Sequence, residues 1–180
     1  MKDIIKIATI LPYKENYTFT KAQAAAIWVC DFYKYSEFKN TNFIYGNTNG
    51  KDYLTKNYIN IKINNLKSKL SSSTSEYCKN FIEKTKDSNF DIIEIHNRPL
   101  VFNYLKKNID AKFIIYFHND PLSMNGSRSV NERIKLLNEV GKIIFVSKWV
   151  QTRFFKNLDS KLINKTEIVY PSIHREKKNL

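Results

Sequence analysis

Asp91-Ile92-Ile93-Glu94-Ile95-His96-Asn97-Arg98-Pro99 and Lys112-Phe113-Ile114-Ile115-Tyr116-Phe117-His118-Asn119-Asp120-Pro121 decide how this chain folds. Each is a short β-branched or aromatic run that stops at a histidine, a polar pair and a proline. Such runs, bounded by turn residues, read as buried strands, here Asp91–Ile95 and Lys112–Phe117. The spacing between them predicts a helix over Leu100–Lys107. A strand, a crossover helix and a second strand make a right-handed unit of a parallel sheet covered on both faces.

The alternation continues outward. Upstream, Ile4–Leu11 reads as a strand closed by Pro12, and the alanine-rich stretch Thr20–Tyr35 as a helix. Phe43–Tyr45 and Tyr58–Ile63 are further strands, separated by the turn Gly46-Asn47-Thr48-Asn49-Gly50. The polar loop Ser71–Ser75 offers Thr74 or Ser75 as cap for a helix over Glu76–Lys86. Downstream, Val130–Val140 and Trp149–Asn157 read as helices, and Lys142–Val146 and Glu167–Val169 as strands. The expected fold is a Rossmann-like α/β domain over residues 1–174, with 175–180 a charged tail or the start of a linker.

The chain has 180 residues, 42% hydrophobic and 26% charged, which suits one globular domain with one core. Lys and Arg number 30 against 17 Asp and Glu, a net charge of +13. That excess favours phosphates, anionic lipid or nucleic acid, and equally describes a solvated basic surface. No RRM, KH or helix-turn-helix signature accompanies the aromatics, which follow the strand and helix patterns, so nucleic acid is disfavoured. Cys30 and Cys78 lie in no metal or redox spacing and read as reduced and buried, as in the cytoplasm. The first apolar run is too short to span a membrane and is broken by Lys6, so membrane contact is expected to be peripheral.

Ligands of open parallel sheets bind at the carboxyl ends of the strands. The candidates there are Tyr13 and Lys14 with Glu15 and Asn16, Asn97 and Arg98 after His96, His118 with Asn119 and Asp120, and Ser147 with Lys148. Arg98 can fork onto a phosphate or pair with a nearby acid. His118 can exchange hydrogen bonds and carry charge, or pin a loop backbone. Three histidines supply too few ligands for a metal site. G-x-G-x-x-G, Walker A and nucleophile-elbow patterns are all missing, and the first βα turn, Pro12–Thr20, has no glycine. A helix N-terminus near Thr20 remains as a way to hold an anion.

The ordered set His96-Asn97-Arg98-Pro99, His118-Asn119-Asp120-Pro121, Met124-Asn125-Gly126-Ser127, Ile143-Ile144-Phe145-Val146-Ser147-Lys148 and Val169-Tyr170-Pro171-Ser172-Ile173 resembles the N-terminal, acceptor-side half of GT-B type glycosyltransferases of family 4, such as those that build lipopolysaccharide and other surface glycans. The resemblance implies half of a GT-B fold, a nucleotide-sugar donor, retention of configuration, no metal or other cofactor, and a glycan or lipid-linked acceptor at the inner face of the membrane. It makes His118 the residue facing the donor sugar, and places Tyr13, Lys14, Asn97, Arg98, Asn119, Asp120, Ser147 and Lys148 about the acceptor or phosphate. His118 is expected to be an exposed loop residue whose removal leaves stability nearly unchanged. Two departures stand out: the glycine-rich loop after the first strand, and the second domain with its paired glutamates. The chain is thus expected to need a partner chain or domain for the donor. A binding or scaffolding module of the same fold is the alternative, and a basic nucleic-acid-binding protein a third reading.

Overall fold

A computed structural model describes residues 4–63 and 72–171. Expectations that fall on residues 172–180, including the charged tail, lie outside the described residues. Seven parallel strands form one sheet: β1 (Ile7–Ile10), β2 (Asn42–Gly46), β3 (Tyr58–Asn60), β4 (Ile92–His96), β5 (Lys112–Phe117), β6 (Lys142–Phe145) and β7 (Thr166–Ile168), in the order β3-β2-β1-β4-β5-β6-β7. The strand order reverses between β1 and β4, which makes the gap beyond their carboxyl ends the natural ligand crevice.

The helices divide unequally. α2 (Ser73–Lys84), α3 (Pro99–Leu105), α4 (Val130–Glu139) and α5 (Lys148–Phe154) all pack on one face. There Phe81, Phe102, Leu136 and Phe154 meet Ala8, Ile93, Ile115 and Phe145 of the strands, all of them buried. α1 (Ala24–Tyr35) is the one described helix on the opposite face, where Ala26, Trp28, Val29 and Cys30 meet Leu11, Ile44 and Tyr116. Both cysteines are free and buried.

Element types agree with the sequence reading, and the ends differ for local reasons. α1 starts four residues later than Thr20, because residues 18–22 form a turn in which Thr18 O accepts from Lys21 N and Ala22 N. α2 starts earlier than Glu76. Ser72, rather than Thr74 or Ser75, is its cap, the Ser72 hydroxyl accepting from Ser75 N at 3.1 Å. That start lets Tyr77, Cys78 and Phe81 face the sheet. β1 begins at Ile7, since Ile4 and Ile5 lie in solvent. α4 carries a full capping box: Ser129 Oγ accepts from Glu132 N, and Glu132 Oε2 accepts from Ser129 N.

Candidate functional site

Asn97, just beyond β4, shapes the crevice. Its backbone is left-handed at φ 52°, a region asparagine tolerates better than most residues. Its Oδ1 accepts from His118 N at 2.7 Å and from Asn119 N at 3.2 Å, fastening the loop after β5 to the loop after β4. The turn it makes sends Arg98 across the switch point. The guanidinium lies 5.5 Å from the centre of the Tyr13 ring, over the end of β1. The Nη1 of Arg98 donates a long bond to Asn97 O, 3.4 Å, and its buried Nε has no protein partner.

A polar hollow of about 210 Å3 opens beside this arginine, bordered by Tyr13, Asn97, Arg98, Ser123, Asn125 and Arg128. Its far wall depends on Gly126, whose φ is +94° and whose missing Cβ would fall 2.8 Å from Leu100 N. Glu132 Oε1 accepts from Gly126 N, and Arg133 Nη1 donates to Ser127 O and Arg128 O, so α4 holds the loop that presents Arg128. Two guanidinium groups border one polar hollow. The arrangement suits a phosphate or carboxylate.

The anion site expected at the start of α1 is already filled from within. Glu15, buried in the first βα turn, accepts from Ala26 N at 3.1 Å. Burial raises the carboxyl above its usual range, while the Ala26 and Ala25 amides and the Arg98 charge work to lower it. Where a glycine-rich turn would leave those amides open, this chain supplies its own carboxylate.

His118 is not the exposed loop residue the sequence suggested. Its Nε2 is 2.8 Å from Nδ1 of His96, and its ring meets Trp28 of α1 edge-on at 5.2 Å. His96 is fully buried and stacks on Tyr116 at 4.5 Å. Burial lowers His118 to about 4, and burial plus the neighbouring His118 drives His96 well below 6.5. Both rings are therefore neutral at physiological pH, and one N–H is shared between them. His118 can offer a hydrogen bond to a substrate without bringing a positive charge.

The remaining candidates separate. Lys14 is exposed beside Tyr13. Asn119 is exposed on the rim, with its N–H on Asn97. Asp120 Oδ1 accepts from Leu122 N, and its Oδ2 accepts from Arg153 Nε and Nη2 at 3.1 and 2.7 Å. Arg153 holds the Asp120 carboxyl below the usual range. The Ser147 hydroxyl caps α5 by accepting from Val150 N, and Lys148 Nζ donates to Gln151 Oε1. Tyr13, Asn97 and Arg98 thus converge on one hollow, while Asp120, Ser147 and Lys148 serve the start and side of α5. The sequence reading missed Arg128 and Ser123 as hollow residues, and it named Glu15 as a strand-end residue without its role on the α1 amides. A glycine two residues before Arg128 was the available signal.

Among the described residues no group of three His, Cys, Asp or Glu side chains is placed to hold a metal ion, and no helix is long and apolar enough to cross a membrane. No protein-family model matches the sequence, nor does any curated protein. Two solved chains of sucrose-phosphate synthase from Thermosynechococcus elongatus share the fold. One, at 11% identity and TM-score 0.57, is matched over 92% of this chain and 88% of its own length. The other, at 11% identity and TM-score 0.62, is matched over 92% of this chain, which spans about half (48%) of that protein. Sucrose-phosphate synthase is a GT-B glycosyltransferase, so the chain has the Rossmann-like parallel α/β fold found in such an enzyme.

Proposed function

We propose that this chain is the acceptor-side half of a retaining, family 4-like glycosyltransferase. In this reading a second domain or partner chain delivers a nucleotide sugar over the carboxyl ends of β1, β4 and β5. The single observation that carries it is the two-arginine hollow at the strand-order reversal, formed by Arg98 on Tyr13 and by Arg128 on its glycine-dependent loop. A phosphorylated glycan or lipid-linked acceptor would place its phosphate between the guanidinium groups. Its sugar would lie toward Tyr13, and the neutral His118 would donate or accept a hydrogen bond at the donor sugar. Asn97 fixes the spacing of these two loops. The net charge of +13 would hold such an enzyme against an anionic membrane surface.

The experiment is a titration with a short glycan phosphate and its unphosphorylated form, followed by calorimetry. Arg98→Ala or Arg128→Ala should each weaken the phosphorylated ligand about tenfold, since a charge-assisted bond contributes ~1.5 kcal/mol or more. Equal affinity for the two ligands would refute the reading. Supplied with a donor domain by fusion, the chain should transfer sugar, and without it nucleotide release from UDP-, GDP- and ADP-sugars should stay at background.

The filled α1 terminus favours a second reading, a binding module of this fold without transfer activity. Glu15 occupies amides that could otherwise hold an anion. A fused protein that binds the glycan phosphate yet transfers nothing would select it.

A further inference from the structure

A second cavity, of about 210 Å3, runs along β4 on the face that α1 covers, from Ile92 and Ser36 at the amino edge of the sheet to His96 at the carboxyl edge. Its floor is polar: Thr9, Asn42, Glu94, His96 and Tyr116. Its wall is aromatic, made by Trp28, Phe32 and Tyr33 of α1. Phe32 stacks on Trp28 at 3.8 Å and is 41% exposed, which places it at the mouth.

The floor gathers acceptors about Thr9: both Glu94 oxygens and Asn42 Oδ1. Tyr116 OH donates to Glu94 Oε1 at 3.0 Å, and Thr9 Oγ1 lies 2.8 Å from Glu94 Oε2 and 3.0 Å from Asn42 Oδ1. Both hydroxyls are occupied on these oxygens. No cation is among the groups acting on Glu94; burial pushes its carboxyl up, and only the Thr9 and Tyr116 hydroxyls oppose that. His96 Nε2 and Trp28 Nε1, both buried, have no protein partner. If His96 Nδ1–H donates to His118, its Nε2 is one more bare acceptor in the floor. A cavity of ~150 Å3 holds a benzene ring, so this one has room for a ring and a short side chain.

We propose that this cavity binds a small primary amine with an apolar or aromatic body, its ammonium on Glu94 and Asn42 and its body against Trp28 and Phe32. An ammonium brings three donors and no acceptor, which suits the acceptors gathered at Glu94 and Asn42 Oδ1. Its charge favours the ionised form of Glu94 against the effect of burial, and the aromatic wall attracts the cation. A hydroxyl at the far end of the body would take the hydrogen bond of Trp28 Nε1. The site is separate from the two-arginine hollow, shares no lining residue with it, and does not rest on the glycosyltransferase reading.

Tyramine is the probe and 4-propylphenol its neutral counterpart of nearly equal shape. Calorimetry on the full chain should show tyramine bound at least about tenfold more tightly, the equivalent of ~1.4 kcal/mol. Glu94→Gln should abolish that preference while the far-UV spectrum stays native. Phe32→Ala, a change at an exposed position, should weaken both probes several-fold. If Glu94→Gln does not fold, the ratio of the two probes on the unaltered chain and the Phe32→Ala result still decide. Equal affinity for the two probes, binding that Phe32→Ala leaves intact, or no binding of either at millimolar concentration overturns the proposal; the last outcome leaves a cavity filled by solvent alone.

Discussion

Replacing Asn97 with alanine should loosen two loops at once. The side-chain oxygen that accepts from His118 N and Asn119 N is lost, and a Cβ-bearing residue without a local hydrogen bond is left at φ 52°. Asn119 is exposed, so water can take over its amide; the His118 amide lies deeper. One poorly solvated amide costs about 1–3 kcal/mol, and the left-handed backbone adds ~1 kcal/mol for alanine. The sum is about 3 kcal/mol, or a fall in Tm of about 6–12 °C for a domain of this size. Asn97→Gly removes the same oxygen without the backbone strain and should lose ~1 kcal/mol less. Asn97→Asp keeps the acceptor and should lie nearest the parent. Urea and thermal unfolding give the three values, and hydrogen exchange at the amides of residues 118 and 119 shows whether those groups are the ones released. An Asn97→Ala protein within about 0.5 kcal/mol of the parent, with both amides still protected, would refute the reasoning.

Ring titration followed by NMR should find His118 neutral down to about pH 5, given its value of about 4. The unfolded chain takes up these protons from pH 6.5 downward and the folded one does not, so the pair makes stability fall as pH drops from 6.5 toward 4. Glu94 has the opposite sign: raised above 4.5 by burial, it makes stability fall as pH rises through and beyond that value. Glu94→Gln should flatten that limb in urea melts taken across the pH range. Gly126→Ala, with a Cβ 2.8 Å from Leu100 N and φ +94°, should destabilise by at least ~2 kcal/mol, and denaturation will show whether it does. Removing His118 costs stability too, because His96 Nδ1 then loses its partner; His118→Ala should lower the melting temperature by several degrees while cutting transfer in a donor-domain fusion by about 10²–10³.

Strand identity was readable because Phe113–Phe117 is a continuous apolar run and Ile92–Ile95 is one broken only by Glu94, and burial on both faces leaves little else for them to be. Glu94 was hidden inside that pattern; a carboxylate in a buried strand announces itself only when the Thr9↔Glu94 register is known. The His96–His118 contact was hidden for the same reason. His96 pairs with Tyr116, so His118 is its diagonal neighbour on the α1 face, a fact of strand alignment rather than of spacing along the chain. The start of α1 was misplaced because its capping oxygen comes from Glu15, eleven residues before Ala26. Tyr13, Asn97 and Arg98 were legible as strand-end polar residues. Arg128 was not, since a loop held by Glu132 and Arg133 of α4 carries it to the crevice.

Among the described residues, one helix on one face and four on the other make the two halves of the core unequal in how they can come apart. α1 can lift away while Ile93, Ile115, Phe117 and Phe145 stay packed beneath α2 to α5. Opening of that kind is a local unfolding event with its own, smaller free energy. It would bare Trp28, Glu94 and the histidine pair together, and make solvent access to them a matter of breathing rather than of global unfolding. The amides of α1 should then exchange ahead of those in β4 and β5, and the tryptophan fluorescence of Trp28 should respond to denaturant before the sheet does.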